Sequence, residues 1–445
     1  MADDARVLGL FEGFGIELEY MIVDAATLDV APIADALIEA EHGRIENEIE
    51  RGAFAWSNEL ARHVIELKTN GPASDLAGLA DGFAGEVRRI DERLAPLGAR
   101  LLPTAMHPWM DPDSEFELWP HGDGAIYAHF DRIFDCRGHG WSNLQSVHVN
   151  LPFRGDDEFG RLHAASRALL PLIPALSASS PFMDGRHPGM LDTRIDVYRS
   201  NARRVPSVSG SVIPEPVYTR ADYEKMLESI YADLAPVDPE GLLRHEWVNA
   251  RGCIARFDRM AIEIRLVDVQ ECPQADIAIA AALTGVLRAL CDGTPDELAR
   301  LRGLDMHRLS EWLRRTTASA EETPIDDAPW LAALGLDGSA RSAGEAWRAL
   351  IDRHVRPDPA MAEHLPALDV ILDEGPLSRR ILARTGIGPD REQLRVIYAE
   401  LADCLRDGRM FTGGSRAPGR MLSLRGTRSA RHDRATGSRP RDGDA

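Results

Sequence analysis

Apolar and polar residues alternate along four short stretches of the chain, and in each the polar positions carry groups that ionise or ligate. In GIELEYMIV (15–23), Ile16, Leu18 and Tyr20 share one parity, and Glu17 and Glu19 the other. Side chains two apart leave the same face of a strand, so this is the pattern of a half-buried strand. In RHVIELKTN (62–70), Val64, Glu66 and Lys68 oppose His63, Ile65 and Leu67. In NLQSVHVNLPF (143–153), Ser146, His148 and Asn150 oppose Val147, Val149 and Leu151. In MAIEIRLVDVQ (260–270), Glu263 and Arg265 oppose Ile262, Ile264 and Leu266. The alternation predicts strands over 15–23, 62–69, 144–151 and 261–268.

Elsewhere apolar residues recur at three and four, which predicts helices over 75–97, 158–176, 274–291, 307–318 and 391–408, the last stopped by Gly408. The strands do not alternate regularly with helices. An α+β fold is therefore expected, with a mixed, largely antiparallel sheet backed by helices rather than a doubly wound one. No repeat or linker interrupts the chain before about residue 411, so 1–411 is expected to form a single domain with a helical part at about 292–411. From 412 to 445 Gly, Ser, Pro and Arg take over, with eight arginines against three aspartates, and a disordered, solvated tail is expected.

Composition narrows the function classes. A formal charge of −20 argues against a general nucleic-acid binder, which needs a basic surface. No early stretch has the basic flank and cleavage site of an export signal, and no apolar run looks long enough to cross a bilayer, so no membrane role is expected. Five scattered cysteines without CxxC spacing read as reduced thiols of a cytoplasmic protein. Two lysines stand against 49 arginines, so phosphate contacts should fall mostly to arginine.

Two readings of the four polar faces stand. They are either solvated faces of antiparallel strands, or they converge on one concave sheet. In the second case the carboxylates cannot all stay ionised without a cation. Hard divalent ions take oxygen ligands, and Mg²⁺ keeps positions open for phosphates; one imidazole is compatible with Mg²⁺ or Mn²⁺. Without a cysteine cluster or HExxH, structural and protease-type zinc are unsupported. P-loop and Rossmann motifs are absent, and GFG at 13–15 reads equally as a Gly-rich loop or a turn into the strand. DTRIDVYRSNARRVP (192–206) offers Arg194, Arg199, Arg203 and Arg204 either to an anionic ligand or to a helix surface. ALSASSPFMDGR (175–186) suits close backbone approach to a ligand or an ordinary helix end, and GHGWSNLQ (138–145) offers Trp141 as packing or stacking surface.

The motifs GIELEYMIV, ELARHVIEL, SVHVNL, LSASSPFMDGR with RIDVYRSNARRVP, and AIEIRLVD resemble, in order and rough spacing, the glutamate–cysteine ligase type 2 family. These are ATP-dependent carboxylate–amine ligases related to glutamine synthetase, and the resemblance covers roughly residues 10 to 290, with a helical remainder to about 410. It implies a curved antiparallel sheet forming a funnel for Mg²⁺ and ATP, with helices on its outer face. It implies Glu17, Glu19, Glu66, His148 and Glu263 as metal ligands, and Asn150, Glu59 and Arg265 as nucleotide-side residues. It implies Arg265, Arg199 and Arg203 as the catalytic arginines. The expected partners are small molecules, an amino-acid-like carboxylate and an amine; homo-oligomerisation is left open. The family's frequent HxH reads His148–Asn150 here, and insertions at 107–127 and 205–223 lie where substrate-facing loops would be, so both substrates stay open. His107, His121, His129 and His139 read as packed or surface histidines, or as substrate-loop groups. A metal-dependent amide hydrolase and a non-catalytic nucleotide-binding relative remain as alternatives.

Overall fold

The strand that carries Glu17 and Glu19, β1 (Gly15–Asp24), lies in the middle of an eight-stranded sheet in the computed structural model, which describes residues 7–338 and 340–414. The others are β2 (Glu48–Arg51), β3 (Phe54–Asn58), β4 (Val64–Thr69), β5 (Ala99–Leu102), β6 (Ser146–Pro152), β7 (Cys253–Arg256) and β8 (Ala261–Asp268). The order is β2-β3-β4-β1-β6-β8-β7, with β5 paired to the C-terminal half of β1. Every named strand pair is antiparallel. The fold is α+β with an open antiparallel sheet, and the four strands expected from alternation are all present. The short strands β2, β3, β5 and β7 were not singled out by pattern.

Register decides which side chains meet. Glu17 pairs with Lys68 on one side and His148 on the other, and Glu19 pairs with Glu66, itself opposite Ser57. Asn150 lies between Gly15 and Glu263. Between the Val147–Val267 and Val149–Ile264 pairs, β8 carries one residue more than β6. Such a bulge shifts side-chain parity, so that Asp268, two positions beyond Leu266, pairs with Ser146.

The other face of β1 is the core. Ile16, Leu18, Tyr20 and Ile22 are fully buried and join one large apolar cluster with residues of the backing helices. The helix Pro273–Cys291 is nearly all buried and packs on the helices Leu79–Leu94 and Gly155–Leu169. It is tied to β1 by the Tyr20 hydroxyl, which donates to Asp276 Oδ2 at 3.0 Å. Contrary to expectation, this helix is by length and composition able to cross a membrane, but 83% of its apolar window is buried inside the fold. All five cysteines are buried and free of disulfides.

Helix boundaries differ from the pattern for identifiable reasons. The helix expected from 75 begins at Leu79, because Asp75 caps the turn through Ala77 N instead (3.0 Å). The helix expected to 176 ends at Leu169, and Pro171 and Pro174 open the short turns Leu170–Leu172 and Pro174–Ser177. GFG does not form a loop: Phe14 extends β1 through paired 2.9 Å backbone hydrogen bonds with Ala73. The tail expected from 412 lies, from 415 onward, outside the described residues.

The C-terminal helices are locked to the sheet by a fully buried pair. Arg380 bonds Glu271 and the Phe411 carbonyl, its Nε donates to Gly375 O at 3.1 Å, and Phe411 N donates to Glu271 Oε1 at 3.2 Å. Removing one partner strands a buried charge, whereas replacing both with apolar groups does not. Arg380→Ala should therefore lose about 3–5 kcal/mol in urea unfolding, and Arg380→Met/Glu271→Leu should recover part of it, the Phe411 backbone groups still lacking their partners; equal losses in both variants would refute this.

Candidate active site

The polar face of the sheet forms the floor of a cavity of about 500 Å³. Glu17, Glu19, Glu59, Glu66, His148, Glu263 and Arg265 line it, and register alone brings them together from four strands and the loop before β4.

His148 is the hub. Its Nδ1 donates to Glu17 Oε2 at 2.8 Å and lies 3.6 Å from Glu263 Oε1, while Nε2 donates to Ser146 Oγ at 3.0 Å and lies 3.7 Å from Glu19 Oε1. The Ser146 hydroxyl in turn donates a hydrogen bond to Glu19 Oε2 at 3.1 Å, and Ser146 N donates there at 2.7 Å. With both ring nitrogens donating, the imidazole is cationic. Burial opposes that charge, but the Glu17 hydrogen bond and the charges of Glu17, Glu19 and Glu263 outweigh it, and the pKa rises to about 9. Glu17 is pulled down to about 2 despite burial, by its bond to His148 and the charges of His148, Lys68 and Arg259. Glu66 rises to about 7 through burial and the Glu17 charge, tempered by Lys68 at 3.2 Å and the Ser57 hydroxyl at 2.7 Å. Glu59 rises well above the carboxylate range through burial and the charges of Glu66 and Glu19.

Ligand atoms of Glu17, Glu66 and His148 lie within 4.8 Å of one another, as do those of Glu19, Glu59 and Glu66. Carboxylate oxygens with one imidazole suit Mg²⁺ or Mn²⁺. Glu263 belongs to the same cluster through His148 but is also clamped by Arg265 Nε at 2.5 Å and Arg256 Nη1 at 3.3 Å.

The remaining expected residues fall differently. Asn150 does not line the cavity; its Nδ2 donates to Glu17 Oε1 at 3.0 Å and steadies that carboxylate. It has room because a Cβ on Gly15 would come within 3.0 Å of its own. Arg199 and Arg203, expected as catalytic, do not line the cavity, and Arg203 is exposed. In the short helix Thr193–Tyr198, positions four apart share a face, and it is Arg194 and Tyr198 that reach the cavity. Arg194 Nη2 donates to the Arg265 carbonyl at 2.7 Å, and Nη1 pairs with Asp268 at 3.3 Å. The serines of LSASSPFMDGR complete the brace: Ser179 N and Ser180 Oγ donate to Asp268 Oδ2 at 2.8 and 3.0 Å. That segment buttresses β8 instead of approaching the cavity.

Sequence reasoning did not find Arg256 and Arg259 on the β7–β8 hairpin, or Phe130 and Trp247 in the cavity wall. Of the two insertions, 107–127 contributes Asp123, Ile126 and Tyr127, and 205–223 contributes nothing to the lining. His107, His121, His129 and His139 stay outside it, bonded to Leu28 O, Asp35, Asp238 and Asp184.

The model of the glutamate–cysteine ligase family 2 matches residues 13–400. An uncharacterised protein of Archaeoglobus fulgidus is 32% identical over 400 residues, covering 89% of this chain and 99% of its own. A Pseudomonas paraeruginosa protein with the provisional name glutamate–cysteine ligase 2 is 32% identical over 189 residues, 41% of this chain and 45% of its own. The match thus spans less than half of that named relative. The crystal structure of Francisella tularensis glutamate–cysteine ligase in complex with AMP superposes with a TM-score of 0.51 at 13% identity, covering 90% of this chain and 89% of that one; the likeness is one of fold.

The protons on His148, Glu59 and Glu66 make cation binding pH-dependent. All three pKa values are raised, so near neutrality these groups hold protons that a bound ion must displace. Mn²⁺ affinity should rise from pH 6 to pH 8, with about one proton or more released per ion near pH 7, read by calorimetry in buffers of different ionisation enthalpy. Binding that is independent of pH and releases no proton would remove His148 and Glu66 from the ligand set.

Proposed function

The chain belongs to the glutamate–cysteine ligase family 2, and we propose that it joins a carboxylate to an amine at the expense of ATP, through an acyl phosphate. The observation that carries this reading is the pairing of two charge clusters on one sheet face. Carboxylates Glu17, Glu19, Glu66 and Glu263 surround His148, and the cations Lys68, Arg256, Arg259 and Arg265 lie beside them. A hydrolase needs the first cluster. The second matches a polyphosphate, and the fold-related Francisella tularensis ligase is in complex with AMP.

In the proposed reaction a carboxylate oxygen attacks the γ-phosphorus of ATP, the bond to the β,γ-bridging oxygen breaks, and ADP leaves. The amine nitrogen then attacks the acyl carbon, the bond to the phosphate oxygen breaks, and a proton leaves the nitrogen as the amide forms. A divalent metal held by Glu17, Glu19, Glu66, His148 and Glu263 would neutralise phosphate charge. The chain's part is positioning and electrostatics. Arg265 is half-buried and pinned through Glu263, and its backbone is braced by Arg194, so its charge is preorganised. Lys68 is held between Glu48 at 2.7 Å and Glu66 at 3.2 Å, directly opposite Glu17 in the ladder.

ADP release from Mg·ATP, measured over a panel of carboxylates and amines singly and in pairs, should be stimulated by one pair. Glu17→Gln and Glu263→Gln should each lower kcat by at least about 10², the effect of roughly 3 kcal/mol of lost stabilisation. Activity within a few-fold of wild type in both variants would contradict the assignment, and turnover of an amide without ATP would put the hydrolase first.

A further inference from the structure

The cavity has two chemically different ends. Strands β4 and β6 both run antiparallel to β1, and β7 runs parallel to β6 through β8. The segments that lead into β4 and β6 therefore arrive at one end of the sheet, beyond the Glu19–Glu66 row, and the segment before β7 enters from the same direction. Among the cavity-lining residues they bring are Leu60, Trp141, Leu144 and Trp247. Phe130 joins them, edge-on to Trp141 at 4.7 Å and tilted to Trp247 at 6.4 Å. The opposite end holds the β7–β8 hairpin with Arg256 and Arg259, beyond the Lys68–Glu17–His148 row.

Resting on the ligase reading, we propose that the apolar end is the pocket of the amine substrate, and that this substrate carries a bulky apolar or aromatic body. A nucleotide whose γ-phosphate sits over the carboxylates must run its α- and β-phosphates toward cations, which places it at the hairpin end. The apolar end offers the reverse complement. Its one lining arginine, Arg194, is neutralised by Asp268, and its ionisable groups Glu59 and Asp123 are acidic. An ammonium group can hydrogen-bond the Glu59 carboxyl, whose carbonyl oxygen accepts whether or not the group holds its proton; a Glu59 oxygen lies within 4.8 Å of those of Glu19 and Glu66, and Glu59 directly precedes Leu60 in the chain. The aromatic wall then covers the carbon skeleton. At the same wall Gln145 is fully buried and neither of its amide atoms has a partner, leaving a donor and an acceptor for a polar atom on that skeleton. A small polar amine would leave this wall bare.

The test uses the full chain and reads tryptophan fluorescence, since Trp141 and Trp247 line the pocket. 2-Phenylethylamine, L-phenylalanine, L-cysteine and L-serine are titrated with and without ATP, and ADP release is followed in parallel. At least one aromatic amine should saturate at a concentration lower than serine by about tenfold or more, the effect of burying one large apolar side chain. Phe130→Ala should erase most of that preference while leaving nucleotide affinity within about twofold. Leu60→Asn, a smaller perturbation of the wall, should reduce the same preference if Phe130→Ala does not fold. Equal binding of serine and the aromatic amines, or competition between aromatic amines and ATP, would overturn the proposal and leave the ligase reading intact. Selective aromatic binding with no ATP-dependent turnover for any pair would do the opposite, keeping the pocket and removing the ligase.

Discussion

Repulsion among carboxylates is the constraint around which the molecule is arranged. Two like charges 4 Å apart near a protein surface repel by about 4 kcal/mol, and β1, β4 and β8 bring Glu17, Glu19, Glu66 and Glu263 onto one face. The chain answers with a cationic imidazole in the middle, cations at the flanks, and hydroxyl and amide donors from Ser57, Ser146 and Asn150. The remaining strain is held by the underside, where Ile16, Leu18 and Tyr20 are sealed against the helix Pro273–Cys291 and its neighbours. A stiff, fully buried back permits a front that is electrostatically unfavourable without a cation.

That front is graded along its length. Cations lie toward one end, carboxylates in the middle, aromatic groups toward the other, and each zone comes from a different part of the topology. The floor belongs to strands and is fixed by ladder register. The aromatic wall belongs to the segments that enter those strands and to the helix Gly124–Phe134. Floor and wall can therefore change independently of one another.

Alternation made the floor readable: period-two patterning assigned Glu17, Glu19, Glu66, His148 and Glu263 to polar faces, and pairing put those faces side by side. What it could not deliver has physical causes. The β8 bulge inverts parity for Asp268, so a strict two-residue period places that carboxylate on the apolar face. Choosing among the arginines of 192–206 needed the exact start of a six-residue helix, since one residue rotates the helical face by about 100°. The aromatic wall is assembled from positions 130, 141 and 247, whose proximity is encoded in no local pattern. The short strands β2 and β7 have too few residues to display a period.

The central strand is also the first of the eight in chain order. During translation β1 emerges before its neighbours: β4 ends at Thr69, β6 at Pro152, and the Phe411 clamp follows much later in the chain. An unpaired edge with Ile16, Leu18, Tyr20 and Ile22 on one side is a template for pairing with a neighbouring nascent chain on the same messenger. Glu17 and Glu19 lie on that very strand, and side by side on two such chains they would repel. The residues that crowd the finished site would thus also disfavour the pairing of two unfinished chains.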